Sequence, residues 1–151
     1  MSVPSRRSAG FTLIEIMAVV IIIGLLSGLV GLAVFGRVGE SRVSIARTQM
    51  KTIENALELY RMDNSTYPSS EQGLEALISR PATPPEPRRY NPEGYLSGRE
   101  VPRDPWDEPY QYQAPGQHNP RGFDIWSLGA DRSPGGTGEN ADIGNWDDSQ
   151  T

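Results

Sequence analysis

The sequence predicts an α+β chain: one long N-terminal helix, then short strands. Three observations carry this. The run Ile16–Phe35 holds no charged residue and passes, without a proline, into an amphipathic stretch ending near Arg61. The second half is rich in proline and glycine, the composition of turns and connectors. Among those turns lie segments of strand length and alternating pattern, such as Phe123-Asp124-Ile125-Trp126. A chain of 151 residues holds one modest domain besides its N-terminal segment.

Residues 1–10 read as a short basic leader, with Arg6 and Arg7 ahead of Ala9-Gly10. A secretory signal peptide carries its small-residue cleavage site after the apolar region, so that region is discarded. Here the small residues come first, and a cut after Gly10 keeps the apolar helix as the start of the mature chain. A helix over Ile16–Phe35 spans about 30 Å, the thickness of a bilayer core. Arg6 and Arg7 favour a cytoplasmic N-terminus, but Arg37, Arg42 and Arg47 follow the run closely, so charge bias alone leaves the orientation open. Glu15 lies at the head of this segment. It is a snorkelling interfacial residue, part of a helix that does not span, or an intramembrane carboxylate paired with a cation, the default expectation for such groups. A cut at Gly10 would give Phe11 a new α-amine beside Glu15, and a neighbouring copy's amine would serve equally.

Residues 11 to about 61 read as one helix, about 77 Å long at about 1.5 Å per residue. That exceeds what a domain of this size needs, so the first half is expected to project as a stalk. In the second half Ala46, Met50, Ile53, Leu57 and Tyr60 fall on one face. Arg47, Lys51, Glu54 and Glu58 lie mostly elsewhere and are expected to form opposite-charge pairs at i,i+4. Asp63-Asn64-Ser65 ends the helix, and Tyr67-Pro68 keeps it ended. Ser69 to Gln72 has capping-box spacing before the short apolar face Leu74, Leu77 and Ile78. Pro81 to Pro92, with five prolines, reads as a connector without regular structure. A turn bracketed by Asp104-Pro105-Trp106 and Glu108-Pro109 precedes the strands Tyr110–Tyr112 and Phe123–Trp126.

Composition removes several function classes. A formal charge of −5 disfavours nucleic-acid binding, which needs clustered Lys and Arg. The chain has no cysteine, so thiolate chemistry and disulfides are excluded, and a small core outside the cytoplasm would need another staple. His118 is the single histidine and, among Gly, Gln, Asn and Pro, reads as a surface loop residue and not a catalytic base; without cysteine or a second histidine, no Ser-His-Asp or zinc arrangement is assembled convincingly. No enzyme is read here. The Asp-rich loop 131–142 is either a solvated acidic tail or a calcium site, since a hard cation takes several oxygen ligands from a flexible loop. Asp131 and Asp142 have the spacing of the first and last EF-hand ligands, but Gly135 replaces the central Asp or Asn and no helices flank the loop. An EF-hand is rejected.

Gly10-Phe11-Thr12-Leu13-Ile14-Glu15, with its basic leader and apolar run, resembles the prepilin-peptidase site shared by type IV pilins and type II secretion pseudopilins. The resemblance implies cleavage between Gly10 and Phe11, N-methylation of Phe11, and a role for Glu15 in assembly. Tyr67-Pro68-x-x-Glu71-Gln72-Gly73-Leu74, Asp104-Pro105-Trp106, Pro109-Tyr110, Ser127-Leu128-Gly129-Ala130-Asp131 and Asp142-Ile143-Gly144-Asn145-Trp146 resemble the major pseudopilins of type II secretion. Those relatives bind calcium in the C-terminal loop. The resemblance places side-chain ligands at Asp131 and Asp142 and carbonyl ligands at Leu128 and Ser133. Ala141 departs from relatives that carry a second Asp there, leaving water, Asn140 or Glu139 to compensate. Leu32 departs from relatives with a proline, so helix softening there does not carry over, although Gly24, Gly28 and Gly31 would permit it. Gly24-x-x-x-Gly28 is also a small-xxx-small pattern that lets helices approach closely.

The expected fold is therefore α+β and type IV pilin-like: a long N-terminal helix packed on a small antiparallel sheet, with a C-terminal calcium loop. The expected division is a leader over 1–10, a transmembrane and assembly helix over 11–35, and a periplasmic domain over 36–151. The resemblance implies a single-pass inner-membrane subunit that polymerises into a periplasmic pseudopilus. Its partners would be further copies, prepilin peptidase, minor pseudopilins, inner-membrane assembly components and membrane lipid. The rival readings are a type IV pilin of a surface fibre and a monomeric, membrane-anchored calcium-binding protein.

Overall fold

The computed structural model describes residues 12–147, with the side chains of residues 29–38 left aside. The chain divides into two compact units between Val38 and Gly39. Helix α1 runs Leu13–Asn64. In the first unit, every described side chain of α1 is exposed, from Leu13 to Leu26. The Ser27 hydroxyl donates to the Ile23 carbonyl at 2.8 Å, so the one polar side chain of the run is satisfied within the helix. Among the described residues, no helix is long and apolar enough to cross a membrane. The apolar run Ile16–Phe35 extends into residues 29–38.

In the second unit, α1 supplies the floor of the core. Ala46, Met50, Ile53, Leu57 and Tyr60 are all buried, as the helical spacing predicts, and Ala56 joins them. Opposite-charge pairs form at i,i+3, not at i,i+4: Lys51–Glu54 at 3.1 Å and Glu58–Arg61 at 2.9 Å. Four-residue spacing here joins like charges, Arg47 with Lys51 and Glu54 with Glu58. The helix ends where Asn64, itself buried, turns its amide onto the Tyr60 carbonyl at 3.0 Å and takes the Arg89 N–H at 2.9 Å. Ser65 follows in the left-handed region at φ 67°.

The capping box forms reciprocally: the Ser69 N–H donates to Gln72 Oε1 at 3.0 Å, and the Gln72 N–H donates to Ser69 Oγ at 3.2 Å. It closes a turn, and the helix that follows is a four-residue 3-10 segment, Leu74–Leu77. The proline-rich connector has no regular structure, yet Gln72 Nε2 donates to the carbonyls of Thr83 at 2.6 Å and Pro85 at 2.9 Å, which fixes its path.

The sheet has three antiparallel strands in the order β1-β2-β3: β1 Gln111–Gln113, β2 Asp124–Ser127 and β3 Ile143–Gly144. Tyr112 faces Ile125 in the first ladder, and Ser127 faces Ile143 in the second. Ile125 and Ile143 enter the core with Phe123, Leu77 and the α1 face. Tyr110, just before β1, sends its hydroxyl to Gln49 Oε1 at 2.7 Å and to the Ala46 carbonyl at 3.3 Å, fastening the sheet side to α1.

Candidate functional site

Two places hold the residues that the sequence singles out. The first is the head of α1, where Thr12 and Glu15 form a capping box. The Thr12 N–H donates to Glu15 Oε2 at 3.0 Å, the Thr12 hydroxyl to the same oxygen at 3.1 Å, and the Glu15 N–H to Thr12 Oγ1 at 3.3 Å. The carboxylate thus meets the Thr12 N–H while the Thr12 hydroxyl oxygen meets the Glu15 N–H, and negative charge at the helix start also suits the macrodipole. Among the described residues Oε1 of Glu15 makes no hydrogen bond. Gly10 and Phe11, the residues expected to flank the cut, lie outside the described residues. Thr12 escaped the sequence reading as a cap, although Thr-x-x-Glu before an apolar run is the signal for one.

The second place is the loop between β2 and β3. Its two ends are held together by backbone: the Ala130 N–H donates to the Glu139 carbonyl at 2.8 Å and the Asp142 N–H to the Gly135 carbonyl at 3.1 Å. Gly129, at φ 69°, lies so close to the Glu139 and Ala141 carbonyls that a Cβ there would stand 2.7 Å from the former. Only glycine fits. Residues adjoining Asp131 and Asp142 are therefore in contact across the loop. Asp131 is exposed and accepts the Ser133 N–H on Oδ1 at 3.1 Å. Asp142 is half-buried; its Oδ2 accepts the Gly135 N–H at 3.0 Å, while its Oδ1 is buried without a partner. Leu128 is half-buried and Ser133 exposed. Glu139 is turned elsewhere, its carboxylate lying against the backbone of α1 at Gly39. No group of three or more His, Cys, Asp or Glu side chains gathers among the described residues, so any cation here must draw on carbonyl oxygens as well.

His118 does not stand free in its loop. Its ring stacks on Trp146 at 3.9 Å between centroids, and Nδ1 lies 3.2 Å from Asp124 Oδ2. Asp124, almost wholly buried, also accepts the backbone N–H groups of His118 and Asn119. Burial pushes its carboxyl up, but these hydrogen bonds outweigh burial and hold it below the usual carboxylate range.

A long N-terminal helix whose second half floors a three-stranded antiparallel sheet, with a loop closed between the last two strands, defines a pilin-like subunit. Residues 33–146 match the family model for type II secretion system protein G, and residues 5–36 match the prokaryotic N-terminal methylation motif. The chain belongs to the type II secretion system protein G family. It is 50% identical to the type II secretion system core protein G of Pseudomonas aeruginosa, covering 94% of this chain and 97% of that one. It is 45% identical to the core protein G of Vibrio cholerae, covering 93% of each chain. The crystal structure of the major pseudopilin from the type 2 secretion system of enterohaemorrhagic Escherichia coli superposes with a TM-score of 0.65 at 40% identity, covering 75% of this chain and 93% of that one.

Proposed function

We infer that this chain is a major pseudopilin, a structural subunit and not an enzyme, that polymerises into the pseudopilus of a type II secretion system and drives export of folded proteins. The observation that carries the reading is the match of nearly the whole chain, from leader to last strand, to core protein G relatives. The absence of cysteine agrees with it over the disulfide-closed surface pilins.

Before assembly the subunit is held in the inner membrane by the apolar half of α1, with its second unit in the periplasm. Prepilin peptidase cuts between Gly10 and Phe11, and the exposed amine is methylated. Glu15 then sets the register of addition. The Thr12 cap occupies Oε2 and orients the carboxylate, while Oε1 is open to the Phe11 amine of an adjacent copy. Pairing matters because an unpaired carboxylate in an apolar bundle costs several kcal/mol (about 3–5 for breaking a buried pair). Space beside Gly24 and Gly28 is open, which suits close helix approach in the polymer. Minor pseudopilins and inner-membrane assembly components are the further partners.

The loop 128–142 binds calcium through the carboxylates of Asp131 and Asp142 and the carbonyls of Leu128 and Ser133. The buried, unpartnered Oδ1 of Asp142 supports this, because a bare carboxylate oxygen in a closed loop fits a hard cation. Bound calcium would neutralise the two carboxylates and cross-link the loop ends, the stapling role that a disulfide plays elsewhere. Glu139 does not replace the carboxylate missing at Ala141, since it is committed against Gly39.

The test is electron microscopy of the overproduced, processed chain beside Glu15→Ala. Filaments are expected from the parent and none from the variant, with leader cleavage intact in both on a gel. Filaments of normal abundance from the variant would remove Glu15 from the assembly step.

A further inference from the structure

The motif Asp104-Pro105-Trp106 lies outside the calcium loop in sequence but against it in space. Asp104 is buried, and its two oxygens do different work. Oδ1 accepts the backbone N–H groups of Trp106 at 3.0 Å and Glu108 at 2.8 Å, which folds residues 104–108 into a closed turn. That turn is completed by the Asp104 N–H on the Glu108 carbonyl at 2.9 Å. Oδ2 takes the hydroxyl of Ser127, the last residue of β2 and fully buried, at 2.5 Å. Because the Ser127 hydrogen is given to Asp104, its oxygen lone pairs face the Gly129 N–H, which donates at 3.1 Å. Gly129 is the residue pressed against Glu139 and Ala141 where the loop closes. A second strut runs from the loop itself: Arg132, at φ 58°, reaches Glu108 Oε1 at 3.0 Å and the Trp106 carbonyl at 3.4 Å. Arg132 is largely exposed and Glu108 half-buried, so solvent screens the pair and the buried relay carries most.

We propose that Asp104 is a positioning residue of the calcium loop, acting through Ser127 and Gly129 to hold Leu128 and Asp131 in their binding arrangement. This rests on the calcium reading above. Asp104 touches no proposed ligand atom. Its charged form is what orients the Ser127 hydroxyl, because a carboxylate only accepts hydrogen bonds. In Asp104→Asn the amide oxygen can still serve Trp106 and Glu108, so the turn survives. The amide nitrogen then donates to Ser127 Oγ, so the hydroxyl hydrogen loses its acceptor and must turn elsewhere, and the oxygen's lone pairs are no longer fixed on the Gly129 N–H.

The experiment is calorimetric titration of calcium chloride into the chelator-treated full-length chain in detergent, well below its melting midpoint. The chains compared are the parent, Asp104→Asn, Ser127→Ala, the double variant and Asp142→Asn. Calcium affinity is expected to fall about 10–100-fold in Asp104→Asn and in Ser127→Ala, the usual range for removing a partner that orients a metal ligand. The double variant should fall no further than the weaker single one, since both break one relay. Two independent, additive losses would mean general loosening and would overturn the relay. Asp142→Asn should abolish binding. A parent that takes up no calcium sinks the calcium reading itself. A parent that binds, with Asp104→Asn and Ser127→Ala at parental affinity, sinks the positioning role alone. Should Asp104→Asn fail to fold, Ser127→Ala decides the matter by the same affinity criterion.

Discussion

Single residues show how polar groups were placed inside a small core. Asp124 alternates with apolar neighbours in a pattern that assigns it to the opposite face from Phe123 and Ile125, yet all three are buried. It survives there because backbone and side-chain donors from His118 and Asn119 converge on it. Replacing it with Asn should cost about 1–3 kcal/mol, the penalty for leaving buried donors unmet. The pH dependence has a definite sign. A carboxyl whose folded pKa is lowered contributes stability that is full above its unfolded value and is lost as pH falls through the folded one. Thermal melts across the acid range should therefore show the parent's advantage over Asp124→Asn shrinking as pH drops below the ordinary carboxylate range. A gap that stays constant into strong acid would contradict the assignment. Glu58 follows the same logic: the Tyr67 hydroxyl, donating at 2.6 Å, lowers its carboxyl against opposing burial, and Tyr67 is pushed up to about 12, first by burial and then by Glu58.

Among the elements, α1 was the most legible, because its spacing of apolar residues repeats over four turns and every one of them is buried. Ile53→Ala should destabilise the second unit by about 2–5 kcal/mol, read from a denaturation midpoint, since Ile53 is fully buried in the core. The same change at Leu59, about half exposed at 52%, should shift the midpoint by no more than about 0.5 kcal/mol. Where spacing was short, legibility failed. The capping box at Ser69–Gln72 was visible, but Gly73 at φ 61° breaks the path into a regular helix, and only a 3-10 turn follows. Strands β1 and β2 each begin one residue later than the aromatic pattern places them. Strand β3, two residues long, carries no periodicity at all and exists only because Ile143 and Gly144 pair with β2.

For the whole molecule, the prediction is a link between calcium and stability. At about 100 times its dissociation constant, a cation that binds only the folded chain adds about 2.7 kcal/mol. Melting the processed chain with calcium and with chelator should separate the two midpoints, and Asp142→Asn should merge them at the lower value. Identical midpoints in the parent would leave the loop without a stapling role. Asp104→Asn should still show calcium stabilisation, but only at higher calcium.

Sequence alone determined the order of methylation motif and apolar run, the buried face of α1 and the family. Each is written in neighbouring residues or in a regular period, so local chemistry suffices to read it. Tertiary structure decided what depends on residues far apart in the chain. It placed the 104–108 turn beneath Ser127, turned Glu139 away onto Gly39, stacked His118 on Trp146 and left one oxygen of Asp142 bare. The N-terminal methylation motif over residues 5–36 is legible before the chain folds. Which carboxylate oxygens are left without a partner is settled only by packing, because a side chain's partners are whatever the fold brings within hydrogen-bond reach.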